Sequence, residues 1–261
     1  MNIIKSDLLS KIDFIEHGFF DRTGGFSTGE SFDSLNVGIN RGDNDDAVIQ
    51  NRSKISDTFG IPVSNMIILN QVHGNIVHVI TEDNLPNYKF SNVENALKNE
   101  GDAIITNIPD ILIGINTADC VPILVVDNIS KYIAVIHAGW KGAVNNVIES
   151  TINKMQELGC RDLYFAMGPC IQKKSFEVGQ DVSRHVDRKY ISIINGKMYF
   201  DLQLYVLEKI MKLGAISVSK MNIDTCTDQR FFSYRRQNGV CGVQFSGIIL
   251  KNNKQGGYIY E

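Results

Sequence analysis

A chain of 261 residues with 43% hydrophobic content carries enough apolar side chain for one large α/β domain, and a single domain over residues 1–261 is the expectation. Lys and Arg number 26 against 29 Asp and Glu, a formal charge of -3 with no long run of one sign, which excludes the footprint of a nucleic-acid binder and favours a small-molecule partner. The start, MNIIKSDLLSKIDF, lacks the apolar core of a signal peptide, no apolar run is long enough to span a bilayer, and five scattered cysteines form no CxxC pair, so a cytoplasmic protein without a disulfide framework or membrane contact is expected.

In chain order, Val48, Ile49, the stem of Arg52, Ile55 and Phe59 recur at helical spacing, predicting a helix over residues 45–60 capped by Asp45 or Asp46 and stopped by Gly60 and Pro62. Residues 66–69 and 76–80 read as strands, with the segment QVHG and His73 at the turn between them. His78 falls inside the second strand, where a histidine is ordinarily a hydrogen-bonded sheet residue. The polar stretch 81–100 reads as a surface excursion.

Apolar runs at 103–106, 111–115, 121–126 and 132–136 are continuous enough to be buried on both faces and are expected to form one central sheet. Cys120 enters the third run and His137 leaves the fourth, so neighbouring strands could join them. After HAGW, the residues Val144, Val147, Ile148, Ile152, Met155 and Leu158 predict one amphipathic helix ended by Gly159. Its start, beside Gly139, Lys141 and Gly142, suits an anion such as phosphate, although the glycines could equally serve close packing. Asn195 and Gly196 mark a hairpin within residues 191–200, and Asp201 caps a helix running to Leu213. Helices alternating with hairpins predict a mixed sheet with layers on both sides.

Three segments place potential metal ligands at strand ends: QVHG with His73, TADC with Cys120 and HAGW with His137. Two imidazoles and one thiolate leave a tetrahedral zinc ion a fourth position for water or substrate, as catalytic zinc sites do. Their wide separation is no local metal motif, but each sits beside small or turn-forming residues where a side chain can project into a cleft. Gln71 and Asp119 are candidates to orient an imidazole or a bound water.

These segments, together with HGFFDRTGG (17–25), SLNVG (34–38), Asn51 and Arg52, GDAIIT (101–106), MGPCI (167–171) and FFSYRR (231–236), resemble the bacterial polyphenol oxidoreductase, or laccase-domain, family. The same family is described as purine nucleoside phosphorylase and as peptidoglycan editing factor. The resemblance covers nearly the whole chain. It implies an α/β/β/α layered α/β (α+β) fold similar to Rho-deamidating toxins and grouped with cysteine hydrolases, and it implies that His73, Cys120 and His137 bind zinc. Two positions depart from the family pattern: Lys141 replaces the Arg of HAGWRG, and Val243 replaces the Arg of GxTGRQ. Lysine keeps the charge without the bidentate fork. Arg22, Arg235 and Arg236 remain as cationic candidates.

The preferred activity, implied by the resemblance, is phosphorolysis of adenosine, inosine, guanosine and S-methyl-5'-thioadenosine to base and ribose 1-phosphate, with adenosine deamination at the same site. For deamination, a metal-activated water would attack C6 of adenine while Asp102 or Asp119 moves protons. For phosphorolysis, Arg22, Lys141 and the helix start would hold phosphate. The alternative is a peptidoglycan-precursor hydrolase with Cys120 as nucleophile and His137 or His73 as base. Copper-dependent polyphenol oxidation ranks third, because a multicopper cluster is built from imidazoles and the chain has five His in all. A zinc-stabilised binding module would need four protein ligands. Monomer and homodimer both remain open.

Overall fold

The continuous apolar runs build two packed sheets rather than one. The computed structural model describes residues 1–252. Its first half contains β1 (Ile3–Ile4), β2 (Ile15–Phe20), α1 (Asp45–Thr58), β3 (Met66–Ile68), β4 (Val77–Ile80), α2 (Val93–Ala96), β5 (Ala103–Thr106), β6 (Leu112–Thr117) and β7 (Val121–Asp127). Then follow β8 (Ile133–Ala138), α3 (Trp140–Val144), α4 (Val147–Glu157), β9 (Leu163–Met167), β10 (Glu177–Val178), α5 (Gln180–Ser183), β11 (Ile191–Ile194), β12 (Lys197–Phe200), α6 (Leu202–Lys212), β13 (Ser217–Lys220) and β14 (Gln244–Leu250).

A five-stranded sheet has the order β1-β2-β14-β6-β3, a six-stranded sheet the order β13-β9-β7-β8-β5-β4, and β10-β12-β11 form a small third one. Both large sheets are mixed: β3 runs parallel to β6, β4 to β5 and β13 to β9, and the other pairings within them are antiparallel. Ile67, Ile113 and Ile248 from one sheet meet Ile104, Leu124 and Val135 from the other in the central core. Alternate residues of the six-stranded sheet, Ile123, Val125 and Ile136, face Ile148 and Ile152 of α4 and Val206 and Ile210 of α6. Ile55 of α1 covers Met66, Leu112 and Phe245 on the outer face of the five-stranded sheet. The layers are therefore α/β/β/α, and burial on both faces explains why the strands read as unbroken apolar runs. Each fully buried Ile or Val contributes about 1.5–3 kcal/mol of transfer free energy.

Four expectations are corrected. The run at 111–115 belongs to β6 in the five-stranded sheet, not to the sheet of its neighbours, because a doubly buried strand is equally apolar in either layer. The QVHG segment does not join paired strands; it lies on the crossover from β3 in one sheet to β4 in the other. The helix after HAGW is broken, since Asn146 takes a left-handed backbone (φ 67°) between α3 and α4. The α1 cap is Asn44, whose side chain accepts from the Ala47 N–H. Asp201 does cap α6, accepting from the Leu204 N–H, and Asn195 and Gly196 both carry the positive φ of the hairpin turn.

One close contact fixes β6 against β14 within the five-stranded sheet. Gly114 of β6 faces Gly247 of β14 in register, and the Phe245 ring lies so close that a Cβ on Gly114 would stand 1.9 Å from it. Among the described residues, no helix is long and apolar enough to cross a membrane.

Candidate metal centre and its cleft

The start of β5, the end of β8 and the start of β7 come together because these strands are antiparallel neighbours, with Ala103 opposite Ile136 and Val121 opposite Ala138. Asp102, His137 and Cys120 therefore gather at one end of three adjacent strands. The 69–76 crossover brings His73 to the same place. Donor atoms of His73, Cys120 and His137 all lie within 4.8 Å of one another. Gly139 makes room for them, since a Cβ there would stand 2.9 Å from both Cys120 Sγ and His73 Nδ1.

Asp102, fully buried, fixes the arrangement. Its Oδ1 and Oδ2 accept from the backbone N–H groups of His73 (3.0 Å) and Gly74 (2.7 Å), and His137 Nδ1 lies 2.8 Å from Oδ1. His73 pays for this turn with a left-handed backbone, φ 58°. With Nδ1 of His137 bonded to the carboxylate, Nε2 is the ring atom left for a metal. Burial alone would raise the Asp102 carboxyl, but the His137 hydrogen bond and charge and the two N–H groups outweigh it and hold it below its ordinary value. Burial likewise opposes the Cys120 thiolate, yet His137 and His73 bring the thiol down to about 6. His137 is raised to about 9, burial being outweighed by Cys120 and Asp102. Without metal, the pair is a thiolate beside an imidazolium.

A cleft of about 380 Å³ opens over this group. Trp140, Phe176 and Tyr234 give it aromatic faces, and Arg41, Lys141 and Arg235 give it positive charge. Asn116 Oδ1 and Thr117 Oγ1, at the end of β6 in the cleft wall, are buried without a hydrogen-bond partner among the described residues. Asp119 also lines the cleft, at φ 88°; its carboxylate accepts from Thr225 and Ser233 hydroxyls (2.6 and 3.0 Å) and from the Arg235 N–H (2.7 Å). Burial outweighs those donors and raises it above the ordinary carboxylate range.

The other expected site residues divide. Lys141 and Arg235 line the cleft, with the Arg235 guanidinium 5.4 Å from the Phe176 ring. Gln71 lines it too, but both ends of its amide are bonded to the Asn116 backbone (2.7 and 2.8 Å), so it braces the crossover rather than orienting an imidazole. Arg22 opens on a different cavity beside Thr23 and Asp33, and its Nε donates to the Asp33 carbonyl (2.7 Å). Arg236 spends its guanidinium on the carbonyls of Thr225, Cys226 and Phe231 and is not free for phosphate. The helix start after HAGW belongs to a five-residue turn, and Gly142 packs against the Gly74 carbonyl, where a Cβ would come within 2.9 Å, so close packing explains that glycine. Val243 is a buried part of the cleft wall. Arg41, which also lines the cleft, sits in a polar bend where the sequence has no periodicity to mark it.

The donor set fits one tetrahedral ion with a position left for water or substrate. It does not fit a trinuclear copper cluster. His17 accepts from the Ser6 N–H (2.8 Å), His78 is held by Tyr88 and the Glu100 carbonyl, and His185 lies beside Arg184.

With this geometry in hand, residues 16–251 match the family model described as multi-copper polyphenol oxidoreductase laccase. The chain belongs to that family. Its relatives include a purine nucleoside phosphorylase of Deinococcus radiodurans, 31% identical over 90% of this chain and 89% of its own length, and one of Corynebacterium glutamicum, 30% identical over 88% and 92%. An adenosine deaminase from an unknown prokaryote is 30% identical over 93% of this chain and 99% of its own. Among solved structures, a Neisseria meningitidis protein superposes with a TM-score of 0.81 at 29% identity, covering 97% of this chain and 100% of that one. The hypothetical protein YfiH of Bacillus licheniformis reaches 0.85 at 24% identity over 94% and 96%, a likeness of fold. This laccase-family chain thus carries one three-donor group among its described residues, and its named relatives work on purine nucleosides.

Proposed function

We propose that the protein is a zinc-dependent purine nucleoside phosphorylase that also deaminates adenosine at the same site. The observation that supports this reading most is the three-donor group at the base of a cleft holding aromatic faces for a purine and cations for an anion. His73, Cys120 and His137 would hold the ion. Bound there, zinc supplies Lewis acidity and lowers the pKa of water toward about 7.

The chain's own groups do the rest. Asp102 fixes the His137 ring and the His73 turn, and its partners hold its carboxyl below the ordinary value, which makes it a positioning residue rather than the proton carrier. Asp119, beside Cys120 in the cleft wall and raised above its ordinary value by burial, would hold a proton for the purine. The unpartnered Asn116 and Thr117 oxygens suit ribose hydroxyls, which can donate to both. Phosphorolysis forms a bond from phosphate oxygen to C1′ and breaks C1′–N9, the proton passing to the departing purine. Deamination consumes water and releases ammonia from C6.

Cys120→Ala, His73→Ala and His137→Ala should each lower both turnover rates at least about a hundred-fold while the fold persists. Near wild-type turnover in any one of them would separate that residue from the shared site. A second reading is supported by the order Cys120, His137, Asp102, which is that of a cysteine hydrolase relay, with cell-wall precursors as the substrate that the family resemblance implies. A chelator distinguishes the two: it should abolish nucleoside turnover but release a free nucleophilic thiolate for hydrolysis.

A further inference from the structure

The cleft adjoins a recess of about 50 Å³ that lies outside the three-donor group. Arg41, Gln71 and Asn116 line both spaces, and Arg52, Asn70 and Leu97 complete the smaller one. It has room for a few waters or one small anion and none for a nucleobase.

Arg52 is the unusual member. It projects from α1, is only 5% exposed, and donates through Nε to the Val37 carbonyl (2.9 Å). Its guanidinium carbon lies 5.6 Å from the Phe90 ring centre. No carboxylate among the described residues pairs with it, and its terminal nitrogens make no hydrogen bond to them. Two other arginines are compensated: Arg230 forks onto Asp228, and Arg236 donates to the carbonyls of Thr225 and Cys226. A guanidinium stays charged inside a protein, and sinking that charge without a counter-charge is costly. A recess holding one such fork, with Arg41 on the wall it shares with the reaction cleft, has the charge and size for a tetrahedral anion.

We propose that this recess binds inorganic phosphate, with Arg52 as its buried anchor and Arg41 at its mouth toward the nucleoside cleft. The assignment rests on the phosphorylase reading for its choice of anion, and it moves the phosphate seat away from Arg22 and Arg236. Gln71 then acts as the rigid partition between recess and metal loop, being fixed to β6 two residues before His73.

The test titrates zinc-loaded protein with inorganic phosphate calorimetrically in the absence of nucleoside, for wild type, Arg52→Gln and Arg41→Gln, with sulfate and acetate as competitors. Each substitution should weaken phosphate binding at least about ten-fold, the loss of one charge-assisted hydrogen bond. Sulfate should compete and acetate should not. In the adenosine reaction, KM for phosphate should rise in parallel while KM for adenosine does not. Equal phosphate binding by wild type and both variants, no binding to wild type, or preference for acetate would each overturn the proposal. Should Arg52→Gln fail to fold, Arg41→Gln, from an exposed side chain, carries the same comparison. Arginine-dependent phosphate binding without phosphorolysis would uphold the recess and sink the phosphorylase reading instead.

Discussion

Asp102 does more for the metal centre than its position in the sequence suggests, since one buried carboxylate sets both the His137 tautomer and the His73 turn. Replacing it by Asn keeps the volume but removes the charge and one acceptor. Asp102→Asn should therefore lower zinc affinity about 10–100-fold, measured by competition with a chelator of known affinity; unchanged affinity would contradict the positioning role. The same groups give the centre a pH signature. In the metal-free protein His137 keeps its proton up to about 9, whereas Cys120 loses its own near 6. Metal needs both deprotonated, so zinc affinity should climb about ten-fold per pH unit between those two values, level off above the higher, and fall more steeply below the lower. A flat profile between them would contradict the thiolate–imidazolium pair. The three ligands were legible in the sequence because each stands at the end of an apolar run beside small residues. Asp102 was legible as a site residue but not in its role, since only the fold shows that its oxygens face three donors. Arg52 was read by its stem alone, because helical spacing records that a side chain is buried and says nothing of what neutralises it.

The strands β5, β7 and β8 bring the donors together; the apolar runs on either side of Cys120 and His137 pointed to β7 and β8 as neighbours but carried no sign that β5 pairs with β8. Assigning β6 to its sheet did not follow, since both layers of the sandwich demand the same residues. The division between α3 and α4 had a signal in Asn145–Asn146, two poor helix formers, but the apolar spacing continues across it. The β8–α3 junction is where element geometry controls chemistry. Gly139 has φ -69°, a conformation any residue adopts, so its reason is space. Gly139→Ala should leave the far-UV spectrum unchanged and empty the site of zinc, measured as metal content after dialysis. Full metal retention with wild-type activity would show that Cys120 and His73 can yield.

For the molecule as a whole, the α/β/β/α sandwich brings strand ends of both large sheets, Asn116 and Thr117 from β6 with His137 from β8, to the wall of one cleft. The family carries an oxidase name, yet this chain's histidines outside the cleft are committed to hydrogen bonds or the surface. One ion held by three donors would suit hydrolysis and group transfer, not the collecting of four electrons. The most direct test assays metal-quantified wild-type protein with adenosine, with and without phosphate, resolving adenine, inosine and hypoxanthine by chromatography. About one zinc per chain, adenine formed only with phosphate, and inosine formed without it are the expected results. A full zinc site that turns over no nucleoside under either condition would contradict the phosphorylase account.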